Sequence, residues 1–136
     1  MIQNIAILVN PWSGNGKATR IGNWLKERLM DLELNHELFL GNWQNPLERF
    51  SEIWIIGGDG TLNNFVNAYT FCQLPLVIFK GGTGNDFAWK LYGDLSIDKQ
   101  LALVLKAEAR PVDAASCNER LYMNRLGIGF DGTVLQ

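Results

Sequence analysis

Three short apolar runs, each cut off at once by a glycine-bearing turn, most constrain what this chain can fold into. Ile5-Ala6-Ile7-Leu8-Val9 stops at Asn10-Pro11-Trp12-Ser13-Gly14-Asn15-Gly16. Ile53-Trp54-Ile55-Ile56 stops at Gly57-Gly58-Asp59-Gly60, and Leu76-Val77-Ile78-Phe79 at Lys80-Gly81-Gly82-Thr83-Gly84-Asn85-Asp86. Runs this short, apolar at successive positions and partly β-branched, fit strands buried on both faces, as in a parallel sheet.

Between them the apolar period changes. Ile21, Trp24, Leu25, Leu29 and Leu32 recur at helical spacing from Ala18 onward, which predicts an amphipathic helix ending at or just before Asn35. His36–Leu40 reads as a further strand, followed by a polar loop over Gly41–Pro46. Helices are expected from about Thr61 to Phe71 and over Ile97–Ala107, the second capped by Ser96 or Asp98, with a short helical turn at Phe87–Tyr92. Strands alternating with helices make this an α/β chain, a three-layer arrangement around an open, mainly parallel sheet. The tail differs: Arg110–Ser116 and Leu121–Leu126 read as two more strands joined by a loop at Cys117–Arg120.

At 136 residues, 47% apolar and 19% charged, the chain is long enough for one real core and too hydrophobic for intrinsic disorder. Its formal charge of −2 shows no basic stripe, which argues against nucleic acid as a partner. Cys72 and Cys117 are too few for a disulfide scaffold. The first residues lack a basic signal-peptide region and no run is long enough to span a membrane, so a cytoplasmic location is expected.

Two glycine loops directly after buried strands point to chemistry. In an open parallel sheet the ligand crevice lies beyond the carboxyl ends of the strands. Glycines there let backbone N–H groups approach an anion, and the next helix offers its positive end. A phosphate-bearing ligand is the expectation. The Walker pattern fails, because Gly16-Lys17 has Pro11 five residues before Gly16 and Ala18 after Lys17; the dinucleotide fingerprint fails at Asn63, Phe87 and Thr19. Asp59 would repel a phosphate directly. It makes sense as a cation ligand, as an acceptor from a hydroxyl, or as a helix cap. Asp86 carries the same choice, and Thr61 and Thr83 offer hydroxyls to a nucleotide or cap the following helices.

Asn10-Pro11-x-Ser13-Gly14, Gly57-Gly58-Asp59-Gly60-Thr61-Leu62-Asn63 and Gly82-Thr83-Gly84-Asn85-Asp86-Phe87-Ala88 together resemble the diacylglycerol kinase catalytic family. So does the trailing Val112-Asp113 before Asn124-x-x-Gly127-x-Gly129-Phe130-Asp131. That family includes bacterial lipid kinases and the sphingosine and ceramide kinases, and it shares Gly-Gly-Asp-Gly with NAD kinases. The resemblance implies phosphoryl transfer from ATP, with Mg²⁺, to a diacylglycerol-like lipid hydroxyl at a membrane surface. It implies nucleotide contacts at Asn10, Ser13, Gly57, Gly58, Asp59, Gly60, Thr61, Leu62, Asn63, Gly82, Thr83 and Asn85. It places Asp59, Asp86 and Asp113 in a polar network around the metal, through water. Residues 1–115 would form the nucleotide-binding domain, and 116–136 would begin a second, β-rich domain that carries the general base, so this chain by itself is expected to be weakly active or inactive.

Two positions depart from the family pattern. Lys80 stands where proline is usual, and Phe39-Leu40-Gly41-Asn42 replaces a stretch that often supplies a threonine to the nucleotide. Lys80 offers a phosphate contact or a solvated surface lysine, and Lys17 and Arg20 screen phosphate charge or simply face water. His36, the lone histidine, reads as a strand surface residue. Trp54 belongs to the core, whereas Trp12 and Trp43 fall in loops where exposed aromatics suit a membrane interface. An open edge at Leu121–Val134 invites a second copy of the chain. The alternatives are a stand-alone nucleotide-binding module without transfer, and a kinase of a soluble acceptor such as NAD, which shares Gly57–Thr61 but leaves Gly82–Asp86 unexplained.

Overall fold

The computed structural model of the chain describes residues 3–41, 43, 47–70, 72–111, 115–117 and 120–122. Four parallel strands make one sheet in the order β2-β1-β3-β4: β1 (Asn4–Val9), β2 (Asn35–Leu40), β3 (Glu52–Gly57) and β4 (Leu76–Lys80). Helix α1 (Lys17–Asp31) carries the chain from β1 outward to β2, and α2 (Asp59–Ala68) carries it the opposite way from β3 to β4. Right-handed crossovers running in opposite directions put their helices on opposite faces.

The strand residues sort accordingly. Ile5, Ile7, Val9, Trp54, Ile56, Val77 and Phe79 pack on one side with Leu25 and Leu29 of α1 and Leu101 of α4 (Ile97–Val104). Ala6, Leu8, Ile53, Ile55 and Ile78 pack on the other with Leu62 and Phe65 of α2 and with Phe87 and Ala88 of α3 (Asp86–Tyr92). This is the expected three-layer α/β fold. Each large apolar side chain fully buried this way contributes about 1.5–3 kcal/mol. Gly22 lets α1 lie close on the sheet, since a Cβ there would fall 2.6 Å from a Val9 methyl.

Several boundaries move, each for a local reason. Helix α1 ends before Asn35, because Glu33 turns left-handed at φ 56° and lets Leu34 N–H bond Leu29 C=O at 3.0 Å. Asn35 instead opens β2. Helix α2 begins two residues before Thr61, at Asp59, with Gly58 extended ahead of it, and it closes at Ala68. Helix α4 stops at Val104, and its cap is Ser96, whose Oγ accepts from Lys99 N–H at 3.4 Å.

The tail forms a separate antiparallel pair, β5 (Ala115–Cys117) with β6 (Arg120–Tyr122). Residues 112–114 and 123–136, including Asp113 and most of the expected open edge, lie outside the described residues. Cys72 is a free, half-buried thiol. Among the described residues no helix is long and apolar enough to cross a membrane.

Candidate functional site

The strand registers set Leu40, Val9, Ile56 and Phe79 in one row, so the carboxyl ends of all four strands reach the same edge of the sheet. Strand β1 has β2 on one side and β3 on the other, and crossovers leave in opposite directions there. Such a switch point opens a crevice. A cavity of about 480 Å³ occupies it, lined by the loop after β1, the start of α2 and the loop after β4.

Asn10 anchors the first wall. Its backbone N–H bonds Ile56 C=O at 3.1 Å, and its Oδ1 accepts Trp12 N–H at 3.0 Å. That orients Nδ2 to donate to Thr61 Oγ1 at 2.9 Å, while Ser13 Oγ lies 3.3 Å from the same hydroxyl. Asn10, Ser13 and Thr61 thus form one hydrogen-bonded cluster across the β1–β3 boundary. Thr61 is only 5% exposed. Gly14 at φ 62° and Gly16 at φ 89° flank Asn15, which is itself left-handed at φ 53°.

The two glycine loops lie against each other, backbone to backbone. A Cβ on Gly82 would fall 2.5 Å from Gly58 Cα, and one on Gly58 would fall 2.7 Å from Gly84 O. Gly81 N–H bonds Gly57 C=O at 3.0 Å, and Asp59 N–H bonds Gly84 C=O at 2.9 Å. Asn85 folds its amide back on its own loop, accepting from Gly82 N–H and donating to Gly82 C=O at 3.0 and 2.7 Å. The glycine content of both loops therefore serves packing as well as any anion.

Asp59 serves as a cap, but of the helix that follows the other loop. Its Oδ2 accepts Asp86 N–H and its Oδ1 accepts Phe87 N–H, both at 2.9 Å, closing the start of α3 across 27 and 28 residues of sequence. Of the residues that the resemblance singles out, Asn10, Ser13, Gly58, Asp59, Gly60, Thr61, Gly82 and Thr83 line the cavity. Gly57, Leu62, Asn63, Asn85 and Asp86 do not. Leu62 is buried on the sheet-facing side of α2 and Gly57 in the strand end, and the Asn63 carbonyl accepts from Asn67 Nδ2 at 2.7 Å. Sequence reasoning missed Asn64, one helical turn beyond Gly60 and on its face, although that spacing is the signal that finds it. Among the described residues no group of three His, Cys, Asp or Glu is placed to hold a metal ion.

Lys80 takes neither expected role. Its Nζ donates to the Gly93 carbonyl at the end of α3 and sits 4.1 Å from the centroid of the Trp89 ring. An ammonium there meets the negative end of the helix. Trp43 is half-buried and tilted against Phe65, with ring centroids 6.2 Å apart. Trp12 is 83% exposed at the cavity mouth. Burial pushes the phenols of Tyr92 and Tyr69 up from their ordinary value, against a backbone hydrogen bond at Ile78 in the case of Tyr92. Both belong to the packed layers, away from the cavity.

Residues 4–117 match the family model described as the diacylglycerol kinase catalytic domain. "Probable lipid kinase YegS-like" of Yersinia enterocolitica is 37% identical over 83 residues, covering 57% of this chain and 27% of the relative. A Staphylococcus epidermidis protein carrying a lipid-kinase designation is 34% identical over 79 residues, covering 57% of this chain and 26% of its own. A crystal structure of a diacylglycerol kinase from Bacillus anthracis superposes with a TM-score of 0.69 at 24% identity, over 90% of this chain and 46% of that one. The chain thus spans about half the length of that solved structure, and the curated relatives are matched over about a quarter of theirs.

Proposed function

The chain belongs to the diacylglycerol kinase catalytic domain family, and from that premise we propose that its cavity binds ATP as the nucleotide half of a lipid kinase. In this reading the γ-phosphate passes to the hydroxyl of a diacylglycerol-like lipid. The acceptor class comes from the names of the relatives; the nucleotide comes from the site.

One observation carries it. Gly60 sits in the first turn of α2, where glycine is a poorer helix former than alanine, yet among the described residues no atom outside its own stretch of helix comes within 4 Å of where its Cβ would stand. Nothing in the packing of the described residues asks for glycine there, and close approach of a ligand to the backbone does. The start of α2 presents its amide end to an anion in that space. Thr83 and Asn64 add a hydroxyl and an amide at the rim. Mg²⁺ bound with the nucleotide supplies charge neutralisation along the phosphates. The donor set fits an ion that keeps most of its waters: after capping α3, each Asp59 oxygen retains a lone pair, and Asp86 stands beside it.

The test is calorimetric titration of the chain with ATP and MgCl₂, beside Gly60→Ala. We expect saturable binding by the native chain and at least about a tenfold loss in the variant, while its melting temperature holds or rises, as a strain-free glycine-to-alanine change adds about 0.4–1 kcal/mol. Equal affinity of the two proteins, or no binding by a folded chain, refutes the nucleotide reading. Labelled γ-phosphate recovered in diacylglycerol micelles supports the acceptor; label recovered in NAD transfers the reading to a soluble acceptor. A binding module without transfer is the second reading, favoured by the use of both Asp59 oxygens in capping, and binding without label in either acceptor, by the chain joined to the second domain of a family member, supports it.

A further inference from the structure

The cavity has the wrong charge for its proposed ligand. Among the described residues that line it, the only ionised side chain is Asp59, an anion. Three nearby cations are not among its lining residues. Lys80 is held by Gly93 and Trp89. Lys17 borders a separate hollow beside Ile21 and Phe79 on the α1 face of the sheet. Arg20 lies against Gly16, which does not line the cavity.

Arg120 is placed differently. It opens β6, and its Nη2 donates to Asn64 Oδ1 at 3.4 Å, while Asn64 lines the cavity. Its guanidinium makes no ion pair among the described residues, so its charge is not neutralised by a carboxylate there. The position of β6 is fixed from α2. Asn67 Nδ2 donates to Leu121 C=O, and Asn67 Oδ1 accepts Leu121 N–H, both at 2.8 Å. The side-chain amide thus makes the reciprocal pair that a neighbouring strand would make.

Resting on the nucleotide reading above, we infer that Arg120 is the cation of the cavity, carried to its rim by the β5–β6 hairpin, and that it bonds the terminal phosphate oxygens of bound ATP. Asn67 is the positioning residue that sets the hairpin against α2. A guanidinium suits this task better than an ammonium, because its planar fork meets two phosphate oxygens at once.

The experiment is calorimetry on the full chain with ATP and with ADP, each with MgCl₂, for the native protein, Arg120→Ala, Arg120→Lys and Asn67→Ala. We expect the native chain to prefer ATP over ADP. Arg120→Ala should weaken ATP binding by about tenfold or more, the scale of a lost charge-assisted hydrogen bond, and bring the ATP-to-ADP ratio toward one. Arg120→Lys should recover part of that ratio. Asn67→Ala should lower the same ratio with Arg120 intact, an effect that general destabilisation of α2 would not produce. An unchanged ratio in Arg120→Ala, or an equal loss for both nucleotides, overturns the inference while leaving the nucleotide reading in place. A native chain that binds neither nucleotide removes both.

Discussion

Gly82→Ala should lower the stability of the fold by about 3 kcal/mol, the top of the usual range for overpacking, and the melting temperature by roughly 10 °C. The added methyl would stand 2.5 Å from Gly58 Cα and 2.7 Å from Gly58 N. Both are main-chain atoms, so no rotamer change relieves the clash, and the two loops must part. Parting them strains the Gly81–Gly57 and Asp59–Gly84 hydrogen bonds, each near 3 Å, and with them the cavity wall. Gly58→Ala meets Gly84 O at 2.7 Å and should behave alike. Because either substitution separates the same surfaces, the pair should cost less than the sum of the singles, with a coupling above about 0.5 kcal/mol in a double-mutant cycle. Thermal and urea denaturation measure all of these. A Gly82→Ala protein that melts with the native chain would mean the loops are not in contact.

Asp59→Ala should cost about 2–3 kcal/mol, with the damage concentrated in α3. That helix has seven residues, too few to persist without tertiary support, and two of its leading amides end on the Asp59 carboxylate. Hydrogen bonds to an ionised acceptor contribute about 1.5–3 kcal/mol each where solvent is excluded, and less at this half-exposed site. Amide exchange at Asp86 and Phe87 should accelerate first. Asp59→Asn should fall between, since its amide keeps one acceptor oxygen for one of the two N–H groups. Nucleotide affinity should drop at least as far as in Gly60→Ala, because the Gly82–Asn85 loop loses its tie to α2. Loss of nucleotide binding with native exchange rates at Asp86 and Phe87 would show that Asp59 acts on ligand alone.

The sheet was legible in the sequence because burial on both faces writes an unbroken apolar run, and Ile53–Ile56 and Leu76–Phe79 each fall inside an observed strand. Helix ends were harder to read. Glu33 takes a left-handed turn without the glycine that usually marks one, and Asp59-Gly60 reads as turn chemistry although both residues are helical. The loops were legible one at a time as places where backbone comes close to something. That the something includes the other loop depends on the Gly57↔Lys80 register, which no local pattern carries. Asp59 was recognisable as a candidate cap, but its partners belong to a different helix. Lys80 was misread for the same reason: its environment is built by Trp89 and Gly93, which reach it only after α3 folds back on β4.

Strand order also sets the sequence of events in folding. The β1–α1–β2 and β3–α2–β4 halves are each local in the chain, whereas the join between them brings together groups as far apart as Asn10 and Thr61, 51 residues distant. Closing the longer loop costs more entropy before any contact repays it, so the join is expected to form late. The crevice lies on that join and does not exist until it closes. ATP should therefore lengthen the life of the folded chain by slowing unfolding, and leave the refolding rate where it was. Refolding accelerated by ATP would mean instead that the crevice forms before the halves meet. Each half is one β–α–β unit, and the crevice is completed only when β1 pairs with β3.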